Sequence, residues 1–214
     1  LPAKSSPLKS IKNGVDEIII QELFVADNRK DELREKALKI LPKIEISEVD
    51  LQWVQVLSEG WAAPLKGFMR EDQYLQSLHF NCLTMSTDEK TNQSVPIVLA
   101  INDDQKALLE NQTSVALFYN QSLIAVLEDL EIYAHRKEER VCRQFGTNHP
   151  DHPYIQKINQ SGDWLLGGDL QVFERIKWGD GLDDYRLKPN ELRAEFRKKG
   201  ADVVYAFQLR NPVH

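Results

Sequence analysis

The chain reads as an α+β protein: a mainly β region up to residue 180 with helical additions, then the helix-then-strand order that opens an α/β unit. Three observations lead there. Short apolar runs rich in β-branched and aromatic residues recur at 95–101, 114–119, 123–127 and 164–176, with turn formers at Asn120-Gln121-Ser122 and Gly167-Gly168 between them. After Lys188 the periodicity becomes helical: Pro189 sits where a first turn accepts it, Leu192 and Phe196 lie four apart, and Gly200 closes the pattern. A β-forming run, residues 201–207, follows at once.

Taken in order, residues 1–16 mix Pro, Ser, Lys and Gly without periodicity and read as a linker. Residues 17–25 are expected to be extended. A helix is predicted over 28–41, with Asn28 as cap, Leu33, Ala37 and Leu41 on one face, and Pro42 ending it. Ser47 and Asp50 make a capping-box pattern that opens a helix carrying Leu51, Val54 and Leu57, with Gly60 as its stop. Trp53 and Trp61 are read as packing residues. A short helix is expected at 71–78, a loop at 81–94, a strand at 95–101 and a helical turn at 105–110. Runs 114–119 and 123–127 read as a hairpin with a three-residue connection, and 135–143 as a solvated, charge-dense helix. Gly167-Gly168 reads as the turn of a second hairpin. A polar connection near 178–184, with Gly179, Gly181 and three Asp residues, marks a domain boundary.

The length of 214 residues accommodates one sizeable core, or one domain and part of another. Hydrophobic residues at 42% and charged residues at 28% place the chain among globular proteins. Its net charge of −6, from 33 acidic and 27 basic residues, gives no reason to expect a nucleic-acid partner. No apolar run reaches the roughly 18 residues of a membrane span, and no membrane association is expected. Two cysteines, Cys82 and Cys142, are too few for a disulfide framework and fit reduced thiols, so the expected compartment is cytoplasmic.

Cys142, His149 and His152 are metal-capable, but a polar loop explains them at least as well, because a structural zinc site wants four ligands. Glu138 and Glu139 are sequence neighbours and would diverge on a helix, which makes them poor partners in acid–base chemistry. The carboxyl-terminal tip differs in kind. Gln208, Arg210, Asn211 and His214 follow the last apolar run at the place where open α/β sheets gather ligands. A guanidinium fork and amides suit tetrahedral oxyanions, and an imidazole can stabilise a leaving phosphate. The alternative is a strand that ends in a solvated loop at Pro212.

Gln208-Leu209-Arg210-Asn211-Pro212-Val213-His214 resembles the first half of the Gln-x-Arg-Asn-Pro-x-His-x-Gly-His signature of ATP sulfurylases, the sulfate adenylyltransferases. The stretches Asp50-Leu51-Gln52-Trp53, Pro64-Leu65-Lys66-Gly67-Phe68-Met69, His135-Arg136-Lys137-Glu138-Glu139-Arg140 and Gly162-Asp163-Trp164-Leu165-Leu166-Gly167-Gly168-Asp169 are similar to the sulfurylase half of animal bifunctional 3′-phosphoadenylyl sulfate (PAPS) synthases. The likeness runs from about residue 22 onward.

The resemblance implies a linker at 1–16, a PUA-like amino-terminal sulfurylase domain at 17–180, and at 181–214 the start of an incomplete Rossmann-like nucleotidyltransferase domain. An adenylyl-sulfate kinase fused upstream is also implied. So is a reaction between ATP and inorganic sulfate that yields adenylyl sulfate and pyrophosphate, with Mg2+ accompanying ATP. Arg210 and His214 would be catalytic, and Gln208, Leu209, Arg210 and Asn211 would bind ATP and sulfate. A cytoplasmic homodimer is expected, and the 214-residue piece is expected to be inactive alone. The rival readings are a PUA-like module that binds RNA or one that serves assembly.

Overall fold

The computed structural model describes residues 20–84, 90–207 and 209. The expected linker at 1–16 lies outside them. Helix α1 (Asp27–Lys39) starts on Ala26 rather than Asn28, with no side-chain cap, and turns Leu33 and Ala37 inward. Strand β1 (Lys43–Glu45) follows Pro42. Helix α2 (Glu48–Ser58) opens on the expected capping box: Ser47 Oγ accepts from the Asp50 N–H at 3.2 Å, and the Asp50 carboxylate accepts from the Ser47 N–H at 3.0 Å. Its buried residues include Leu51, Val54 and Leu57, and the chain reverses at Gly60, whose φ of +85° is open to glycine.

Helix α3 (Glu71–Phe80) ends on Asn81 in the left-handed region. The stretch expected to be loop contains a ladder between β2 (Cys82–Thr84) and β3 (Lys90–Asn92). Strand β4 (Leu99–Ile101) is shorter than the expected 95–101. Pro96 has no N–H to give a ladder, and the Ile97 carbonyl accepts from Met69 N–H at 3.0 Å. Helix α4 (Asp103–Leu109) is capped by Asn102. Strands β5 (Ser114–Tyr119) and β6 (Ser122–Ala134) make the expected hairpin. Its connection is two residues, not three, because Asn120 and Gln121 both take positive φ, at 48° and 63°.

Helix α5 (Lys137–Phe145) is the charge-dense one. Helix α6 (Pro153–Gln160) was not foreseen; Pro153 occupies its first turn and the His152 ring accepts from Tyr154 N–H at 3.2 Å. Strand β7 (Trp164–Val172) and helix α7 (Pro189–Lys198) complete the order. More described residues lie in helices than in strands, so the architecture is mixed rather than mainly β.

Five strands form one sheet in the order β1-β5-β6-β7-β4, with β1 parallel to β5 and the remaining pairs antiparallel. One edge of β7 pairs with β6 along most of its length. Its other edge is completed in turn by β4, by residues 66–68 and by residues 23–25. Gly168 N–H donates to Phe68 O at 3.0 Å, Leu170 N–H to Lys66 O at 2.8 Å, and Val172 N–H to Leu23 O at 2.9 Å.

This is why the hairpin expected at Gly167-Gly168 does not form and a single strand runs through. A Cβ at Gly167 would meet Met69 O at 2.5 Å, and one at Gly168 would meet Glu128 O at 2.6 Å. These glycines permit close backbone approach rather than a turn.

Alternation along the hairpin gives the sheet two buried faces. Val115, Leu117, Ala125 and Leu127 face the larger core with α2 and α3 residues Leu51, Val54, Leu57, Tyr74 and Leu78. Ala116 and Val126 face the other way, onto Leu33 and Ala37 of α1 and onto Phe173. A third, smaller cluster, Val141, Ile155 and Ile158, joins α5 to α6. Trp53 packs against the larger core as expected. Trp61 does not: it is 52% exposed, its indole N–H donating to Glu59.

Candidate functional site

The sequence points to the stretch that follows α7, so the site is built from that helix outward. Gly200 takes φ +60° past its end, and residues 201–207 carry no ladder, in place of the expected strand. A strand is defined by a partner, and no described segment runs beside this one, so its apolar side chains stay in solvent: Tyr205 is 89% exposed and Phe207 85%. Leu209 is 53% exposed. The other four expected site residues, Gln208, Arg210, Asn211 and His214, lie outside the described residues.

What carries this stretch is a polar junction at the base of α7. Among described residues of α7 only Pro189 is buried, with Leu192 and Phe196 half-buried, and the first turn adds a set of hydrogen bonds and ion pairs. Asn190 grips the backbone of Ile20 from both sides: its Oδ1 accepts the Ile20 N–H at 3.0 Å and its Nδ2 donates to the Ile20 carbonyl at 2.8 Å. Lys188 pairs with Glu22 at 2.7 Å. The Glu191 carboxylate accepts the Lys188 N–H at 2.7 Å and lies 3.5 Å from Arg175. Arg175 bonds the Arg186 carbonyl and reaches down to Glu59 at 2.9 Å. Glu59 is only 3% exposed and also accepts from Trp61 and Gln55. Gln55 in turn accepts the Trp178 indole N–H at 2.8 Å.

The connection before α7 is held by charge. Arg186 bonds Asp180 at 2.8 Å and Asp183 at 2.9 Å. Arg186 pulls the Asp180 carboxyl well below its usual range; the N–H groups of Trp178 and Gly179, then Arg186, do the same to Asp183, and Asp180 raises the guanidinium of Arg186. Between α2 and α7 lies a cleft of about 380 Å³ whose walls include Val56, Trp61, Tyr185, Leu187 and Leu192.

A second polar cluster lies beneath α3, α5 and β6. His135, 5% exposed, places Nδ1 at 2.9 Å from Gly162 O and Nε2 at 3.0 Å from an Arg140 nitrogen. Arginine can only donate, so Nε2 accepts and Nδ1 carries the proton of a neutral imidazole. Burial, aided by Arg140 and Lys137, lowers the His135 pKa to about 4. Burial also lowers Arg140 and raises Tyr74 to about 12. Tyr133 donates to Met69 O at 2.7 Å, while the Tyr74 hydroxyl has no partner among the described residues. His79 meets Glu139 at 2.8 Å and Arg136 meets Glu71 at 2.9 Å, docking α3 on α5.

Among the described residues no three His, Cys, Asp or Glu side chains converge as metal ligands, and Cys142 is exposed. His149 and His152 serve local turns and a helix cap instead. Sequence reasoning missed the junction. Its one local signal was Pro189 followed by Glu191 at a helix start; the pairing of Arg175 with Glu59 spans 116 positions and leaves no pattern.

Residues 14–175 match the family model of the PUA-like domain, and residues 183–214 match that of ATP-sulfurylase. The chain is 49% identical to ATP sulfurylase 2 of Arabidopsis thaliana over 216 residues, covering 100% of this chain and 44% of that protein. It is 49% identical to ATP sulfurylase 4, chloroplastic, of the same plant, over 96% of this chain and 45% of that protein. The chain thus spans less than half the length of these relatives. Among solved structures, the hexameric APS kinase from Thiobacillus denitrificans superposes with a TM-score of 0.59 at 20% identity, over 85% of this chain and 31% of that one, a likeness of fold alone. With one family model covering most of the chain and the second taking up after it, the chain belongs to the PUA-like domain family, in the form that accompanies ATP-sulfurylase sequence.

Proposed function

We propose that the chain is part of a sulfate-activating enzyme that joins the adenylyl group of ATP to sulfate and releases pyrophosphate. The observation that carries this reading is that the ATP-sulfurylase match spans residues 183–214, the stretch that holds Gln208-Leu209-Arg210-Asn211-Pro212-Val213-His214. In this reading residues 17–180 are a PUA-like platform and 181–214 open a Rossmann-like catalytic domain, in which residues 201–207 become a strand once a neighbouring strand pairs with them.

A sulfate oxygen attacks the α-phosphorus of ATP, a new P–O bond forms, and the α–β bridge bond breaks with its electrons leaving on pyrophosphate. Both reactants are anions, so the protein's task is to hold them in line and offset their repulsion. Arg210 presents its fork to sulfate; Gln208 donates to sulfate and to the nucleotide; Leu209 lines the same site; Asn211 positions the nucleotide; His214 stabilises charge on the departing phosphates. Magnesium enters as part of the nucleotide substrate, neutralising the leaving group. A cytoplasmic homodimer, fused to an adenylyl-sulfate kinase as in PAPS synthases, extends the same reading, and sedimentation and fractionation of the parent polypeptide test it. The net charge of −6 weighs against the RNA-binding alternative.

The test is Arg210→Ala in the full-length enzyme, assayed by sulfate-dependent exchange of pyrophosphate into ATP. Loss of about 100-fold or more is expected, the usual consequence of removing one fixed donor to developing charge. Undiminished exchange overturns the assignment.

A further inference from the structure

The five-stranded sheet ends at β1, which pairs with β5 on one side only. Pro42 O accepts the Ala116 N–H at 2.9 Å, and Ile46 N–H donates to Phe118 O at 2.8 Å. Residues 42, 44 and 46 therefore turn their backbone groups toward β5, and those of Lys43 and Glu45 point away from the sheet. Among the described residues no other segment bonds those outward backbone groups. Side chains alternate as well: Ile44 is buried, while Lys43 and Glu45 are exposed on the opposite face. In the helices and turn on either side of β1, Ile40 is 75% exposed, Leu38 45% and Val49 42%.

We propose that β1 is a self-association edge, at which two copies of this chain pair antiparallel about Ile44. The occupant is a second copy because Lys43-Ile44-Glu45 is complementary to itself. With the two-fold axis at Ile44, Lys43 lies opposite Glu45 of the partner subunit, and Glu45 opposite the partner's Lys43. Each such pair exchanges N–H and C=O bonds across the edge and sets an ammonium beside a carboxylate. An edge lysine ordinarily guards a sheet against pairing. Here the glutamate two places on makes it attractive in this one arrangement, whereas parallel pairing in register would set lysine against lysine. The contacts these side chains now make are long: Lys43 Nζ is 5.7 Å from the centre of the Phe118 ring, and Glu45 accepts the Gln121 N–H at 3.3 Å. The proposal names a surface for the homodimer read above, and rests on that reading where the parent polypeptide is concerned.

A three-residue ladder is small beside the roughly 1,600 Å² of a standard interface, so the expected association is weak, with Kd between about 10 µM and 1 mM. Sedimentation equilibrium of the chain across that range should show monomer and dimer together. Lys43→Glu and Glu45→Lys, each alone, set like charges opposite one another and should each weaken dimerisation about 10-fold or more. Both positions are exposed, so Tm should stay within a few degrees. An equimolar mixture of the two single variants brings opposite charges together again at both pairs and should associate as the unchanged chain does, as should the Lys43→Glu/Glu45→Lys double variant. Trapping gives the register: with Cys82 and Cys142 replaced by serine, a Lys43→Cys copy mixed with a Glu45→Cys copy should form a disulfide between 43 and 45, because residues paired in this way lie about 5.5 Å apart at Cα.

A chain that stays monomeric throughout the range overturns the proposal. So does a dimer that the single charge reversals leave intact, or a mixture of the two that fails to recover what each lost. The homodimer reading is judged separately, on sedimentation of the parent polypeptide. If the parent is a dimer and the charge reversals do nothing, only this surface fails; if the parent is a monomer, the homodimer reading fails.

Discussion

The two polar clusters of this molecule shift their ionisable groups in opposite directions. Beneath α3 and α5, burial moves His135 and Arg140 down and Tyr74 up, each toward its neutral form. In the connection before α7, Asp180 and Asp183 move down and Arg186 up, each toward its charged form. The difference lies in water. A group taken out of solvent loses hydration that its neighbours do not replace, whereas a surface carboxylate that gains an arginine or backbone N–H keeps its hydration and adds a partner. One cluster is taken out of water inside the domain, and the other closes a solvated connection on its surface.

The largest expected effect probes the buried side. His135 titrates at about 4 in the fold against an ordinary 6.5, so the unfolded chain binds that proton more readily. Stability should fall as pH drops from 6.5 toward 4, by about 3 kcal/mol on this group's account, and be fully present above 6.5. Urea titrations of the chain and of His135→Gln at pH 7 and pH 4 measure it: the variant should lose that share of the pH dependence, and an unchanged pH dependence would remove His135 from the buried, neutral group.

A smaller effect of the opposite sign is expected at Tyr74, whose hydroxyl is buried without a partner among the described residues. Tyr74→Phe should leave stability unchanged or raise it by up to about 1 kcal/mol, read as midpoint of denaturation; a clear loss would mean that the hydroxyl is satisfied. The smallest change belongs to the exposed side. Asp180→Asn should move Tm by less than about 2 °C, and whatever shift it makes should shrink as salt is raised. A large, salt-independent shift would erase the contrast between the clusters.

What could be read in the residues follows the same division between local and distant. The Ser47–Asp50 capping box, the helix at Pro189 and the hairpin around Asn120 were legible because each depends on residues a few positions apart. The Gly167-Gly168 pair was misread because an in-strand glycine and a turn glycine look alike until residues 66–70 are seen packed on that strand. Trp61 was assigned to the core on its size alone, yet it lies at the rim, held through Glu59. The carboxyl-terminal motif was visible as chemistry, and the strand expected to carry it was not formed, because β propensity has no effect without a partner strand.

The sequence by itself determined the local punctuation of the chain, its apolar runs and the identity of the residues at its carboxyl-terminal tip, since propensity, caps and side-chain chemistry are carried by near neighbours. Only the tertiary structure decided which edge of β7 the loop at 66–68 would complete, that His135 would be neutral, and that Arg175 would reach Glu59 and hold α7. The bonds of β7 to the loop at 66–68, of His135 to Gly162 and of Arg175 to Glu59 all join groups more than 25 positions apart. Burial and pairing there are properties of the assembled fold and of no single stretch of chain.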